Sequence, residues 1–324
     1  ALYLPAYEKV MPRLLPNFGW TRGVAMNGAS MLGGFALDQA HLLRFLLVGV
    51  YGDVRRFFPS MDRQYVLLAE AWYGLSEDVR VGTMRLYSDA CMRYETAHGM
   101  ADFDFSTLHF QGGSIQGCLI STEKAKIFLN SLAEALNLLV DGVRFWNGSS
   151  GGRHVDSVFC ADDLLGLNTS WSSAARYVSV LDEFSHVSAS HFGIDGYKKT
   201  VIQALTFDAA GKPCDASPPP GVSFTIRGVS IPIAPIDAVY AHIGDRRRFD
   251  GAQTQAKAHV RGLLMAWLAG VRRMAKLSPR EFTELTNVGF ASIIGPYAAR
   301  LPLSFKDAEE MAEKPRRLLY RQRF

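Results

Sequence analysis

The sequence predicts an α+β fold, and three observations lead to it. Apolar, strand-like runs recur at wide intervals: 47–54, the two arms of 155–159 and 164–168, and 200–207. Between them lie stretches with apolar residues at helical spacing, most clearly Ala125, Phe128, Leu132, Leu136 and Leu139. After about residue 236 the pattern turns helical. Strands interleaved with helices, then a helical run, describe a mixed α+β region followed by an all-helical one.

Taken in order, residues 1–47 read as helical with a Gly-rich break around 28–34. A strand follows at 47–54, then helices from about Asp62 to Tyr73 and from about Glu77 to Ala97. Phe103–Phe110 alternates like a strand. Ser121 is placed to cap the helix that carries Phe128 and Leu132. The Gly- and Ser-rich stretch 147–153 is a loop, and 155–159 with 164–168 form a hairpin. Ser172 or Ser173 opens a helix to about Ser190. Thr200–Phe207 and Val222–Ile226 read as paired strands joined across a Pro-rich connection that cannot continue as sheet. Ser278, Pro279 and Glu281 are a helix start with a cap and a Pro in the first turn. There is no internal repeat and no heptad array.

At 324 residues and 48% hydrophobic, the chain can bury a sizeable core, and two or three subdomains are expected. No apolar run reaches the length of a membrane span. The first ten residues lack a charged segment followed by a long apolar one, so no signal peptide and an intracellular location are expected. The four cysteines show no CxxC spacing, which argues against a structural zinc site and suits a reducing compartment. The net charge is only +4, but basic residues crowd the last third, including Arg246–Arg248, Arg272, Arg273, Lys276, Arg316 and Arg317. Such runs are either a solvated helix face or a surface for a nucleic-acid backbone.

Asp162 and Asp163 interrupt an apolar run, FCADDLLGL, like the tip of a tight hairpin. Two adjacent carboxylates in an apolar setting repel unless something compensates them. An Asp-rich turn is one explanation. The other is a hard divalent cation such as magnesium, which prefers carboxylate oxygen.

The neighbours of this pair in sequence carry a resemblance. Asp53 ends an apolar strand and is followed five residues on by Phe58. Gln116–Gly117 is followed by Ser121, and Cys160-Ala161-Asp162-Asp163 comes later. Acid with aromatic, then Gln-Gly with Ser, then x-Ala-Asp-Asp, in that order, resembles the palm of reverse transcriptases. Residues 27–46 are similar to the segment before the first catalytic strand of retroelement enzymes, 192–202 to their Lys-Thr motif, and 224–233 to the primer-gripping turn. The helical tail resembles the thumb of non-LTR (LINE-type) retrotransposon polymerases. Cys160 replaces the usual Tyr or Phe, Thr122 the usual Pro, and Arg227 the usual Leu. The fingers motif with its Arg-Pro-Ile triplet is absent, and the chain is expected to be an N-terminally incomplete copy.

The resemblance implies a right-hand polymerase: partial fingers at 1–46, a palm with an antiparallel sheet at 47–235 containing a finger-like helical insertion at about 62–110, and a helical thumb at 236–324. It implies an RNA-directed DNA polymerase that adds dNTPs to a primer 3′-hydroxyl on an RNA template with two Mg2+ ions, Mn2+ being the alternative. Asp53, Asp162 and Asp163 would be catalytic and, with the Val54 carbonyl, would hold the metals. Phe58 would select the sugar, Gln116 and Gly117 would meet the template base, and Lys199, with Lys198 as its neighbouring alternative, would approach the pyrophosphate. Arg272, Arg273 and Lys276 would contact nucleic acid. Asp62 reads as a helix-start acid, Phe57 as core, and His109, His154, His186 and His191 as structural. A group II intron or retron-type enzyme shares these motifs. A viral RNA polymerase fits less well, because Phe58, Gln116 and Ala161 all favour the transcriptase. A catalytically inactive RNA-binding remnant is the alternative of a different class.

Overall fold

The computed structural model describes residues 3–10, 17–19, 26–88, 95–96, 99–100, 113–114, 118–145, 153–242, 245–273 and scattered positions from 278 onward. Along the chain run α1 (Leu4–Val10), α2 (Met26–Leu43), β1 (Leu47–Asp53), α3 (Phe57–Ser60), α4 (Arg63–Trp72) and α5 (Glu77–Ser88). Next come β2 (Glu95–Thr96), β3 (Gly99–Met100), α6 (Leu119–Leu139), β4 (Val143–Phe145), β5 (Arg153–Val155), β6 (Ser157–Cys160) and β7 (Asp163–Asn168). They are followed by α7 (Trp171–Val187), β8 (Val201–Phe207), β9 (Pro213–Asp215), β10 (Thr225–Ile226) and β11 (Val229–Ser230). The described elements end with β12 (Ile233–Ala234), β13 (Tyr240–His242), β14 (Asp245–Arg247) and α8 (Thr254–Arg273). The fold is α+β. No helix of the described residues is long and apolar enough to cross a membrane.

Two compact units divide the chain. The first comprises Ala1–Val24, Leu47–Ile202 and Ser217–Ile233; the second comprises Ala25–Leu46, Gln203–Ala216 and Ala234–Phe324. This division reflects compactness, a different criterion from functional boundaries at 46 and 235.

In the first unit, β1 is buried at every position from Leu47 to Gly52. A strand covered on both faces reads as a continuous apolar run, as this one does. β1 pairs antiparallel with β7, and β7 pairs antiparallel with β6. Helix α7 packs on β1 and β7, and α6 packs against α7 and α4. Rings from four helices meet there. Phe128 lies edge-on to Tyr65 at 5.3 Å and to Phe184 at 5.3 Å, and Phe57 joins Phe128 at 5.8 Å. Edge-to-face pairs contribute about 0.5–1.5 kcal/mol each beyond their buried area.

A buried charge pair ties α1, α4 and α6 together. Lys124 Nζ donates to Glu70 Oε1 at 2.6 Å, and Tyr7 Oη donates to the same oxygen at 2.5 Å. Lys124 is 2% exposed and Glu70 is fully enclosed. Burial pushes the Lys124 pKa down and the Tyr7 pKa up, while Glu70 works to keep the lysine charged.

In the second unit, α2 buries Ala29, Ala36, Leu37 and Ala40, and α8 buries Ala256, Val260, Leu264, Leu268 and Val271. His41 lies edge-on to Phe207 at 5.4 Å, and its Nε2 is 3.2 Å from the Phe249 carbonyl. β8 pairs with β9 from Leu205 with Asp215 to Phe207 with Pro213.

Several expectations need correction. The Gly-rich break at 28–34 does not interrupt α2, because the buried Ala stripe outweighs a glycine cost of about 1 kcal/mol each. α5 ends at Ser88 rather than Ala97, and Glu95–Thr96 pairs with Gly99–Met100. The cap of α6 is Cys118, and Ser121 lies inside the helix, its Oγ 2.6 Å from the Tyr87 hydroxyl. Leu139, at the helix end, is 48% exposed rather than core. α7 starts one turn residue earlier, with Ser170 accepting from the Ser173 N–H at 3.1 Å. β8 turns back at once into β9, because Asp208 Oδ1 accepts from the N–H groups of Ala210 and Lys212 at 2.9 and 2.8 Å. Val222–Ile226 instead supplies β10, which pairs with β11 around Arg227 and Gly228. Both turn residues have positive φ, as a two-residue hairpin requires. The region after 236 contains the β13–β14 hairpin before α8 begins. The expected strand at 103–110 and loop at 147–152 lie outside the described residues.

Lys124→Met is expected to lower stability by about 3–5 kcal/mol, because it strands a buried carboxylate. Urea unfolding measures it. A loss below about 1 kcal/mol would show that the pair does not hold the three helices.

Candidate active site at the hairpin tip

Strand pairing brings the acids together. In the β1–β7 ladder Asp53 is directly opposite Asp163, and in the β6–β7 ladder Cys160 is opposite Asp163. Directly opposed residues in an antiparallel pair project on the same face. The remaining two residues, Ala161 and Asp162, form the turn. Ala161 has φ +57°, a left-handed conformation that costs a non-glycine residue roughly 1–2 kcal/mol. A two-residue hairpin needs such a residue for its twist to match the strands.

The tip is held from outside. Asn17, itself buried, donates from Nδ2 to the Ala161 carbonyl at 2.9 Å. Its Oδ1 accepts from the Ala161 N–H at 2.7 Å and from the Gly19 N–H at 3.0 Å. The Phe18 N–H donates to the Phe159 carbonyl at 2.9 Å. A Cβ on Gly19 would stand 2.4 Å from the Ala161 nitrogen, so only glycine allows this approach. Asn17 and Gly19 were not among the expected site residues. Their contact spans most of the unit, and no local sequence pattern reports it.

A second brace comes from 191–200. The Arg55 N–H donates to the His191 carbonyl at 2.7 Å, and the Gly193 N–H to the Asp53 carbonyl at 2.8 Å. Val54 bridges to Phe192. The Asp53 N–H reaches Thr200 Oγ1 at 3.3 Å, and Lys199 Nζ donates to Asp53 Oδ1 at 2.9 Å. The Lys-Thr segment is thereby fixed beside the first acid.

Charge in this site is not balanced. Burial pushes the Asp163 carboxyl up to about 6, and the charges of Asp162 and Asp53 add to the shift. Burial also raises Asp162, with Asp53 contributing. The hydrogen bond to Asp53 holds Lys199 more firmly protonated than a free lysine. Among the described residues, no group of three or more His, Cys, Asp or Glu forms a ready-made metal cage. Asp53, Asp162 and Asp163 are nonetheless hard oxygen donors with one nearby lysine to offset them.

A cavity of about 980 Å3 opens beside the tip, lined by Asp53, Asp162, Lys199 and Phe58 among others. Phe58 is half-buried and edge-on to Phe57 at 5.4 Å, while Phe57 is buried, as expected of a core ring. Asp62 caps α4, accepting from the Tyr65 N–H at 2.7 Å, which agrees with its reading as a helix-start acid. Gln116, Gly117 and Lys276 lie outside the described residues. Gly113 and Ser114, just upstream of the Gln-Gly pair, dock on the main chain at Phe58, where the Ser114 N–H meets the Phe58 carbonyl at 2.8 Å. Arg272 and Arg273 end α8, and their side chains also lie outside what is described.

The chain matches no protein-family model, and no curated protein sequence matches it. Among solved structures, it is similar to telomerase from Candida tropicalis in complex with a TWJ fragment of telomeric RNA. That match has 8% identity and a TM-score of 0.37, and covers 84% of this chain and 42% of that one. Telomerase from Candida albicans, in the same kind of complex, gives 8% identity and a TM-score of 0.37 over 92% of this chain and 46% of that one. The chain therefore spans less than half the length of either structure. A likeness this weak decides nothing about the site.

Asn17→Ala would leave the Ala161 N–H and carbonyl without their partner. The expected cost is about 1–3 kcal/mol in denaturant unfolding, with faster hydrogen exchange at the Ala161 amide. Unchanged exchange at that amide would mean that Asn17 does not hold the tip.

Proposed function

We propose that the chain is an RNA-directed DNA polymerase of the retroelement type, most like the non-LTR group. The observation that carries this reading is the pairing of Asp53 with Asp163 at the hairpin tip. It joins the first and last of three sequence motifs that occur in the order of a reverse transcriptase palm. Lys199 bonded to Asp53 and Phe58 on the cavity wall are further support.

The donor set suits magnesium. It is all oxygen, carries surplus negative charge, and is not a closed cage. Mg2+ is ordinarily held by one or two carboxylates together with substrate phosphates and water. Asp53 and Asp162, with the Val54 carbonyl, would hold the ions, and Asp163 would complete or shape the set. Two such ions, when bound, lower the pKa of the primer hydroxyl and stabilise the leaving pyrophosphate.

The chain's own residues then do the following. The carboxylates of Asp53 and Asp162 fix where the primer 3′-oxygen and the α-phosphate meet. The 3′-hydroxyl gives up its proton to water, the new bond joins its oxygen to the α-phosphorus, and the bond to the bridging oxygen of pyrophosphate breaks. Lys199 is the protonated group beside Asp53 that can turn to the departing pyrophosphate and donate its proton. The Phe58 ring would sit under the incoming sugar and exclude a 2′-hydroxyl. Gln116 and Gly117 would meet the template base, Gly permitting close backbone approach. Arg272, Arg273 and Lys276 would track the template–primer backbone through phosphates.

Extension of a DNA primer on an RNA template with dNTPs and Mg2+ tests the reading. Asp162→Asn should lower the rate by on the order of 10²-fold or more, while the fold is kept, since the volume is unchanged and charge repulsion is relieved. Extension by the variant at the wild-type rate would refute the role. Phe58→Ala should admit ribonucleotides in competition assays with a smaller loss of dNTP rate. Unchanged sugar discrimination by the folded variant would return Phe58 to the core.

A further inference from the structure

Two arginines stand between Asp53 and Phe58, and the proposed chemistry does not use them. Arg55 and Arg56 are both exposed, and both line the same cavity as Asp53 and Asp162. Among the described residues, neither guanidinium meets a carboxylate. The other two Lys or Arg side chains that line the cavity, among the described residues, are engaged. Lys199 is bonded to Asp53, and the Arg227 guanidinium lies 3.2 Å from the His191 ring, with its main-chain N–H on Asp182 at 2.6 Å.

The main chain that carries the two arginines is fixed. The Arg55 N–H is bonded to the His191 carbonyl, and the neighbouring Val54 bridges to Phe192. Arg56 has φ +50° and serves as the residue before α3, with no side-chain cap. A non-glycine residue in that region costs on the order of 1–3 kcal/mol, and such strain concentrates at functional sites. Here it turns the chain out of β1 and into α3 without carrying either arginine away from the cavity.

We propose that Arg55 and Arg56 hold the polyphosphate tail of the incoming nucleoside triphosphate, an assignment that rests on the polymerase reading above. Carboxylates at the hairpin tip repel such a tail, so its binding needs cations beyond those that the acids gather. Guanidinium presents paired N–H donors that match phosphate oxygens. The cavity has the size of an ordinary small-molecule site. The pair lies on the same six-residue stretch as Asp53 and Phe58, so phosphates and sugar of one nucleotide would meet a single segment of chain. That continuity favours a nucleotide over a nucleic-acid backbone.

The test compares the wild-type chain with Arg55→Ala/Arg56→Gly, in which glycine suits the positive φ. Arg55→Lys/Arg56→Lys keeps the charge and loses the paired donors. In Mg2+ buffer, equilibrium binding of dTTP, dTDP and dTMP is measured without template or primer, with inorganic tripolyphosphate as competitor. Affinity for template–primer duplex and the KM for dNTP in extension are measured alongside. Wild type should prefer dTTP over dTMP, and tripolyphosphate should compete. The Ala/Gly variant should bind dTTP about tenfold or more weakly and show a KM for dNTP raised by a similar factor, with dTMP and duplex binding unchanged, and the Lys/Lys variant should recover part of the loss. Retention of the dTTP preference by the Ala/Gly variant would overturn the proposal, as would no triphosphate preference in wild type. Loss of duplex affinity with nucleotide binding intact would overturn it too, by assigning the pair to the template–primer. Absence of extension with the arginine-dependent dTTP preference intact would defeat the polymerase reading and leave the anion site standing.

Discussion

Six consecutive pairs, from Val48 with Asn168 to Asp53 with Asp163, lock β1 against β7. Side chains alternate along a strand, so a slip of one residue would turn Asp53 to the other face and set every apolar side chain against the packing of the wrong face. Both sides of β1 are buried, which makes that slip expensive. The register that fills the core is thereby the register that aims Asp53 at the hairpin tip. Packing fixes the site geometry, and the aromatic cluster of Tyr65, Phe128 and Phe184 supports the helices behind it.

The price of this arrangement is electrostatic and conformational. Three carboxylates crowd one end of the sheet, and two of them hold protons more tightly than a free aspartate. Ala161 is in a left-handed conformation, and Asn17 satisfies both of its main-chain groups. Lys199 offsets part of the charge from the 191–200 segment, and Arg55 and Arg56, which meet no carboxylate among the described residues, add positive charge at the cavity wall. Under the polymerase reading, such a site suits a metal-bound nucleotide, which brings both cations and anions.

The sequence made some of this legible. Buried strands leave continuous apolar runs, so β1 and β7 could be read directly, and the twin acids between two such runs announced the hairpin. Asp62 as a cap and Phe57 as core followed from local chemistry. What escaped was set by contacts distant in sequence or by burial that overrides propensity. Asn17 meets Ala161 from the far end of the unit, and no spacing encodes it. The α2 glycines read as a break because propensity is local, whereas the Ala stripe that holds the helix is a tertiary effect. Asp208 closes the β8–β9 turn with its own side chain, which shortened a connection that had read as a long Pro-rich crossing. Gln116 and Gly117 stand as expectations from the motif order, and the basic tail as one from its run of charges.

Cation binding at the three acids is the central claim, and Mn2+ titration followed by electron paramagnetic resonance measures it without substrate or turnover. The account predicts that the wild-type chain removes free Mn2+ signal saturably and that Asp53→Asn, which alters the residue opposite Asp163, weakens binding by about tenfold or more. Equal Mn2+ binding by wild type and Asp53→Asn, or none by either, would contradict it.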